Sequence, residues 1–361
     1  MNDAAAVVEG ITDKLIIEKS SGVGHIRLNQ PEKRNAISYE MWTGIADTLD
    51  AFESDDEVRV IVLSGEGGKA FSAGADISQF EKKRGTTDAI AEYNAAVKQA
   101  YRKLTDVLKP TIAKIEGFCI GGGAGTALCC DLRIASDDST FGIPAAKLGL
   151  GYGYDSLKPL VDLVGPSHAK EILFTARRFN AMEAYDMGLV DRVLPRGELD
   201  SFVDDYTATI AGNAPLTIKA CKQIIAEITK DADKRDVDFC QRLVDECYAS
   251  EDYKEGRTAF MEKRKPAFRG KYRNRRTFKR NIPRPADIMP PYVAAYSVNS
   301  RPKSILFGVL KRAINHLEVR WFRTPFKFWW RENDELHSYR ASTSPTQSKS
   351  AVRDYDAAGI L

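Results

Sequence analysis

The sequence lacks the apolar run of about 18 residues that marks a membrane-spanning helix. It contains only 4 histidines, and its 6 cysteines do not have the spacing of zinc ligands. The first residues have neither the basic stretch nor the apolar core of a secretory signal. We therefore expect a protein of the reducing cytoplasm without a metal site.

The charge is unevenly distributed along the chain. Residues 271–361 carry 18 Lys and Arg against 7 Asp and Glu, a net charge of +11, whereas the whole chain carries +3. The first 270 residues therefore carry −8, and three of the four tryptophans lie beyond them. Such a change in composition predicts a boundary near residue 270.

Before this boundary, strand-like and helix-like segments alternate. Residues 25–28, 58–63 and 111–115 have the pattern of strands, and a helix capped by Ser38 follows the first of them. Four helices are predicted after these elements, over residues 198–212, 215–229, 234–248 and 253–263. The alternation predicts an α/β fold with a helical C-terminal part.

Two turns rich in small residues follow strands and carry the strongest functional signal. The first is Phe71–Ile77, and the second is Gly117–Gly125, which contains three consecutive glycines at a strand-to-helix junction. Glycine allows a ligand to approach the backbone closely, and the N–H groups at a helix start point toward it. One N–H from each turn can bind a single oxygen, which makes an oxyanion hole of backbone groups.

The order of the motifs resembles the crotonase, or enoyl-CoA hydratase/isomerase, superfamily over about residues 12–270. The motifs that carry the resemblance are NQPEKRNA at 29–36, AFSAGADI at 70–77, the glycine run with CDLRIA at 130–135, TFGIP at 140–144 and LGLG at 148–151. The resemblance implies a spiral of ββα units over residues 1–200 and a helical trimerisation region over 201–270. It does not cover 271–361, which we expect to be a partly disordered extension, and it implies a homotrimer or hexamer.

The resemblance also implies an acyl-CoA substrate and no separate cofactor, because coenzyme A is part of the substrate. The N–H groups of Ala75 and Gly122 would bind the thioester oxygen. Residues expected beside coenzyme A are Lys33, Arg34, Ala36, Ala73, Asp76 and Ile77, with Lys263 reaching the coenzyme A of a neighbouring subunit.

The sequence departs from the family pattern at its catalytic carboxylates. Enoyl-CoA hydratases carry one glutamate two residues after the glycine triplet, where this chain has Gly125, and a second at the position of Ala145. The aspartate of the family's dehalogenases and dienoyl isomerases is replaced by Gly153. No histidine lies in these motifs, which argues against a Ser/His or Cys/His pair.

Tyr152 and Asp155 remain as candidates beside the acyl group. Tyr152 occupies the position of a tyrosine in methylmalonyl-CoA decarboxylases, the subgroup that the chain resembles most, although those enzymes have a histidine in place of Ala75. Decarboxylation needs no base, since the departing CO2 leaves its electrons on the enolate. A tyrosine hydroxyl can orient the carboxylate that leaves. Asp155 is alternatively the N-cap of a helix over Ser156–Val164.

Decarboxylation of a 2-carboxyacyl-CoA such as methylmalonyl-CoA is therefore the first expectation. Hydration of an enoyl-CoA is the alternative, with Asp155 or Tyr152 replacing the glutamates. A third hypothesis is a homologue that binds coenzyme A or RNA without catalysis. The basic tail is compatible with contact to RNA or a membrane through an amphipathic segment at 304–317, or it has no selected role.

Overall fold

A computed structural model describes residues 6–7, 12–76 and 87–270 of the chain. The strands are β1 Ala6–Val7, β2 Leu15–Ser20, β3 Val23–Leu28, β4 Val60–Gly65, β5 Ala70–Ser72, β6 Thr111–Ile115, β7 Phe118–Ile120, β8 Leu132–Ser136, β9 Thr140–Gly142, β10 Phe179–Asn180 and β11 Arg192–Leu194. The helices are α1 Tyr39–Ser54, α2 Thr87–Asp106, α3 Gly122–Leu128, α4 Tyr154–Thr175, α5 Ala181–Asp186, α6 Leu199–Gly212, α7 Pro215–Ile228, α8 Val237–Tyr248 and α9 Glu251–Glu262. This alternation confirms the predicted α/β class.

The larger sheet has the strand order β1-β2-β3-β4-β6-β8-β11. The pairs from β3 to β11 are parallel, and β1, β2 and β3 form an antiparallel edge. Alternate residues of β4 face opposite sides, because side chains along a strand alternate. Val60 and Val62 pack with Leu199 of α6, whereas Ile61 belongs to the cluster that includes Trp42 of α1. The sheet is therefore covered on both faces.

A smaller sheet of very short strands, ordered β10-β9-β7-β5, carries the two turns of interest. Its strands β5, β7 and β9 are parallel, so their carboxyl ends lie at the same edge. Phe71 and Phe141 of these strands are almost completely buried in the main core. The short strands therefore fix both turns to the main hydrophobic core.

The C-terminal part is helical from α6 to α9, as the sequence predicts. One difference concerns α4, which begins at Tyr154 instead of Ser156 and continues to Thr175 across an irregular Gly165 with φ 71°. None of the helices within the described ranges combines the length and hydropathy that a membrane crossing requires. The proposed boundaries at 200 and 270 stay predictions, and the tail beyond 270 lies outside the described residues.

Candidate active site

The first turn is formed directly after β5 and is held by backbone hydrogen bonds. The Gly74 N–H donates to Ser72 Oγ at 3.1 Å, and Gly74 has φ +107°, a conformation that favours glycine. Ile37 fixes the turn from its other side, since its N–H donates to Gly74 O at 2.7 Å and its carbonyl accepts from Asp76 N at 3.0 Å. The N–H of Ala75, between them, is not used in this pairing.

The second turn links β7 to α3. The Gly121 N–H donates to Gly142 O at 2.8 Å, and Gly121 has φ +55° and caps α3. The next residue but one, Gly123, lies so close to β5 that an added Cβ would be 2.6 Å from Ser72 O. Glycine at 123 therefore allows α3 to pack directly against the strand that carries the first turn.

The two turns are in contact at the residues predicted to bind the thioester oxygen. A Cβ built on Gly122 would lie 3.3 Å from Ala75 N, and one built on Gly74 would lie 3.3 Å from Gly122 N. Within the described part of the chain, no backbone or side-chain acceptor pairs with the N–H of Ala75 or of Gly122. The fold thus places two available backbone donors side by side, at the positive end of α3.

The segment expected beside coenzyme A is joined to the first turn. Asn35 has φ +54°, and its buried side chain donates to Glu66 O at 2.9 Å and to Ala70 O at 2.7 Å. The N–H of Ala73 donates to Arg34 O at 2.8 Å. Ala36 follows Asn35 directly, so Ala36 and Ala73 lie in adjoining turns. The structure therefore brings this part of the predicted site together.

A salt bridge between Lys33 and Asp76 connects the same two segments. Lys33 Nζ lies 2.9 Å from Asp76 Oδ2, and the Asp76 side chain is 5% exposed whereas that of Lys33 is 44% exposed. The hydrogen bond to Asp76 raises the pKa of Lys33. The lysine therefore keeps its positive charge, and 44% of its side chain is exposed to solvent.

The side chains of two other predicted residues lie away from this cluster. The Arg34 guanidinium lies 5.0 Å from the ring centroid of Phe118, which begins β7, whereas the glycine turn follows the end of that strand. Lys263 caps the C-terminal end of α9 and is exposed, with no contact to the cluster among the described residues. Ile77 lies outside the described residues.

Tyr152 and Asp155 differ sharply in their surroundings. Tyr152 is half-buried against the main core, and burial raises the pKa of its phenol. Asp155 is 65% exposed and lies 2.6 Å from Lys98 Nζ of α2. The prediction that Asp155 caps a helix is wrong, because Gly153 is the N-cap residue of α4 and Asp155 lies inside its first turn.

Sequence reasoning missed Tyr101 of α2, whose hydroxyl lies against Gly125. The apolar residues Tyr93, Ala96, Ala100 and Leu104 mark the buried face of α2, and Tyr101 lies at the edge of this face. The sequence signal for it is a tyrosine at the edge of a buried helix face, because a buried tyrosine hydroxyl usually has a hydrogen-bond partner. The buried thiols of Cys129 and Cys130 are not nucleophiles here, since burial raises the pKa of each to about 12.

Comparison with known proteins agrees with this architecture. The chain matches the family described as enoyl-CoA hydratase/isomerase over residues 18–271. It is 35% identical to the short-chain-enoyl-CoA hydratase of Clostridium acetobutylicum over 70% of this chain and 96% of that protein. It is 34% identical to the crotonyl-CoA hydratase of Syntrophomonas wolfei over 71% of this chain and 98% of that protein.

A solved structure shows the same fold. The enoyl-CoA hydratase/isomerase family protein of Hyphomonas neptunium, described as putative, superposes with a TM-score of 0.68 at 36% identity, over 73% of this chain and all of that chain. The family match over residues 18–271 spans the strands from β3 to β11 and all the helices given above. The chain is therefore a member of the enoyl-CoA hydratase/isomerase family and has the crotonase fold.

Proposed function

We propose that this protein acts on an acyl-CoA thioester and stabilises its enolate with the N–H groups of Ala75 and Gly122. The observation that carries the proposal is the contact between the two turns, which leaves these two donors available side by side. Negative charge develops on the thioester oxygen when water adds to a double bond beside the thioester, and also when a bond beside it is cleaved. Lys33 and the backbone of Ala36, Ala73 and Asp76 would hold coenzyme A next to these donors.

Hydration of an enoyl-CoA is the first candidate reaction. The relatives named as hydratases match almost their whole length, which favours hydration over the decarboxylation that the motifs alone put first. Because residues 125 and 145 are Gly and Ala, the proton of the attacking water must pass to another group. Asp155 is the carboxylate candidate for this base, with the protonated phenol of Tyr152 as acid.

Decarboxylation is the second candidate, favoured by the apolar residues at 125 and 145. Loss of CO2 needs no base, so a pocket without these carboxylates is sufficient for it. The Tyr152 phenol, kept protonated by its raised pKa, would donate a hydrogen bond to the departing carboxylate. The apolar surroundings that half-bury this tyrosine would also destabilise a charged carboxylate beside it, and so favour its loss as CO2.

Mass spectrometry of the purified protein with crotonyl-CoA and, separately, methylmalonyl-CoA tests both candidates. We expect a crotonyl-CoA product heavier by one water, and Asp155→Asn should reduce its formation about 100-fold or more if Asp155 is the base. A methylmalonyl-CoA product lighter by CO2, reduced by Tyr152→Phe, would reverse the order of the candidates.

Tyr154→Phe is the matched control for Tyr152→Phe, because the neighbouring Tyr154 is 76% exposed. It should leave both reactions unchanged. Binding of coenzyme A thioesters without either product would contradict both reactions and favour the non-catalytic alternative. Failure to bind any thioester would contradict the proposed function as a whole.

A further inference from the structure

The glycine at position 125 is matched to the hydroxyl of Tyr101. A Cβ built on Gly125 would lie 2.4 Å from Tyr101 Oη and 3.1 Å from Cζ of the same ring. Real Cβ atoms do not approach an oxygen so closely, and the ring carbon leaves little room for the hydroxyl to move aside. A side chain at 125 and a hydroxyl at 101 therefore exclude each other in this packing.

The same hydroxyl is bonded to the residue that supplies one of the two oxyanion donors. Tyr101 Oη donates to Gly122 O at 3.2 Å, and Thr126 Oγ1 donates to the same oxygen at 2.8 Å. Gly121, Gly122 and Gly123 have no side chains to restrict their backbone angles. The two hydroxyl groups supply this restriction from outside the glycine run.

The Tyr101 ring is itself held by the core. It packs edge-on against Trp42, with ring centroids 5.5 Å apart and an interplanar angle of 86°. Trp42 is almost completely buried and donates through Nε1 to Tyr93 Oη at 3.0 Å. Burial also raises the pKa of Tyr101 well above its usual value, so the phenol keeps its proton.

We propose that Tyr101 is a positioning residue of the oxyanion hole, which fixes Gly122 through its carbonyl and requires glycine at 125 to do so. The proposal rests on the proposed function for the identity of the hole. It also accounts for glycine at 125, where the family's hydratases carry a glutamate. The space that a side chain at 125 would need is occupied by the Tyr101 hydroxyl, which holds the Gly122 carbonyl.

The test combines Tyr101→Phe, Gly125→Ala and the double variant with a spectroscopic probe. Cinnamoyl-CoA is suitable, because hydrogen bonds to its thioester oxygen shift its absorbance to longer wavelength. Tyr101→Phe should reduce this shift. For the hydration of crotonyl-CoA, it should lower kcat about five- to tenfold, while KM changes less than twofold. The exposed Tyr185→Phe on α5 is the control and should change neither quantity.

Gly125→Ala tests the steric pairing. In the unmodified background it should displace the Tyr101 hydroxyl and reduce the shift at least as much as Tyr101→Phe does. In the Tyr101→Phe background, where no hydroxyl opposes the new methyl group, we expect Gly125→Ala to cost less than half as much. Equal cost in both backgrounds, or an unchanged absorbance shift in Tyr101→Phe, would overturn the proposal.

These readouts separate this proposal from the proposed function. A protein that shifts the cinnamoyl-CoA absorbance but converts neither crotonyl-CoA nor methylmalonyl-CoA would refute both reactions, and loss of the shift in Tyr101→Phe would still support the role of Tyr101. Bound cinnamoyl-CoA without any shift in the unmodified protein would overturn the oxyanion hole and the role of Tyr101 together.

Discussion

Individual glycines decide the geometry of the candidate site. Gly123 of α3 is packed against the backbone of β5, and a Cβ at this position would lie 2.6 Å from Ser72 O and 2.7 Å from Ser72 Cβ. Neither atom is the end of a flexible side chain, so α3 would have to move. Any such movement displaces Gly122, because it is the adjacent residue.

We expect Gly123→Ala to reduce kcat about 10- to 100-fold, since a small misplacement of a catalytic group has effects of this size. Overpacking should also lower the free energy of unfolding by about 1–3 kcal/mol. Steady-state kinetics and urea unfolding measure the two effects. Gly197→Ala is the control, because nothing lies within 4 Å of the added methyl group. Normal kinetics in Gly123→Ala would contradict the close packing of α3 on β5.

At the scale of secondary-structure elements, local signals in the sequence were sufficient to locate helices such as α1 and α7, although not the bounds of α4. Ser38 Oγ accepts a hydrogen bond from Met41 N at 3.4 Å, and α1 begins after it as predicted. The predicted range of α7, 215–229, differs from the observed Pro215–Ile228 by one residue at its end, and Pro215 fixes its start.

The small sheet could not be derived in the same way. Strands of three residues such as β5 and β7 are too short for a periodic signal, and their pairing joins residues about 50 positions apart. The resemblance indicated which two turns matter, whereas the contact between Tyr101 and Gly125 depends on packing between α2 and α3. From the sequence alone, Gly125 indicates only that the glutamate of the family's hydratases is absent.

Residues 264–270, which follow α9, are attached to this helix by two carboxylates. Glu255 accepts from Arg264 at 2.6 Å and from Ala267 N at 2.8 Å, while the buried Asp252 accepts from the N–H groups of Arg269 and Gly270. The hydrogen bond with Arg264, with further help from Ala267 N, lowers the pKa of Glu255 to about 2. The attachment of residues 264–267 therefore depends on an ionised Glu255, whereas Asp252 holds residues 269 and 270.

This attachment predicts a defined pH dependence. The folded-state pKa of Glu255 lies below the ordinary 4.5, so the stabilisation is fully present above pH 4.5 and is lost as the pH falls toward 2. We expect Glu255→Gln to lower the urea midpoint at pH 7 and to approach the unmodified protein as the pH decreases through this window. Asp205→Asn, an exposed change on α6, is the control. A difference that is independent of pH would contradict the ionic attachment.

For the whole molecule, the first question is what residues 271–361 contribute. The family match ends at residue 271, and all contacts of the candidate site described above lie before it. We expect a chain ending at residue 270 to keep its melting temperature and its affinity for acyl-CoA. If the basic tail binds RNA, only the full chain should do so, with an affinity that falls steeply with salt. Loss of acyl-CoA binding on truncation would show that the tail belongs to the site.

The second question is the assembly of the chain, which we predict to be a homotrimer or hexamer. Apolar side chains on the helical region face solvent in a single chain, and among them Phe260 and Met261 of α9 are 82% and 79% exposed. Neighbouring apolar side chains at this exposure are typical of a surface that another subunit covers. They also precede Lys263, the residue expected to reach coenzyme A bound to a neighbour.

The double change Phe260→Asp and Met261→Asp should therefore convert the assembly to single chains in light scattering and weaken coenzyme A binding at the same time. Exposed side chains contribute little to the fold of one chain, so the melting temperature should change only through the lost contacts between subunits. Thr258→Asp, also exposed on α9, should retain the assembly. Lys263→Met should weaken coenzyme A binding without dissociating the subunits, and normal coenzyme A affinity in dissociated chains would show instead that each subunit holds its ligand alone.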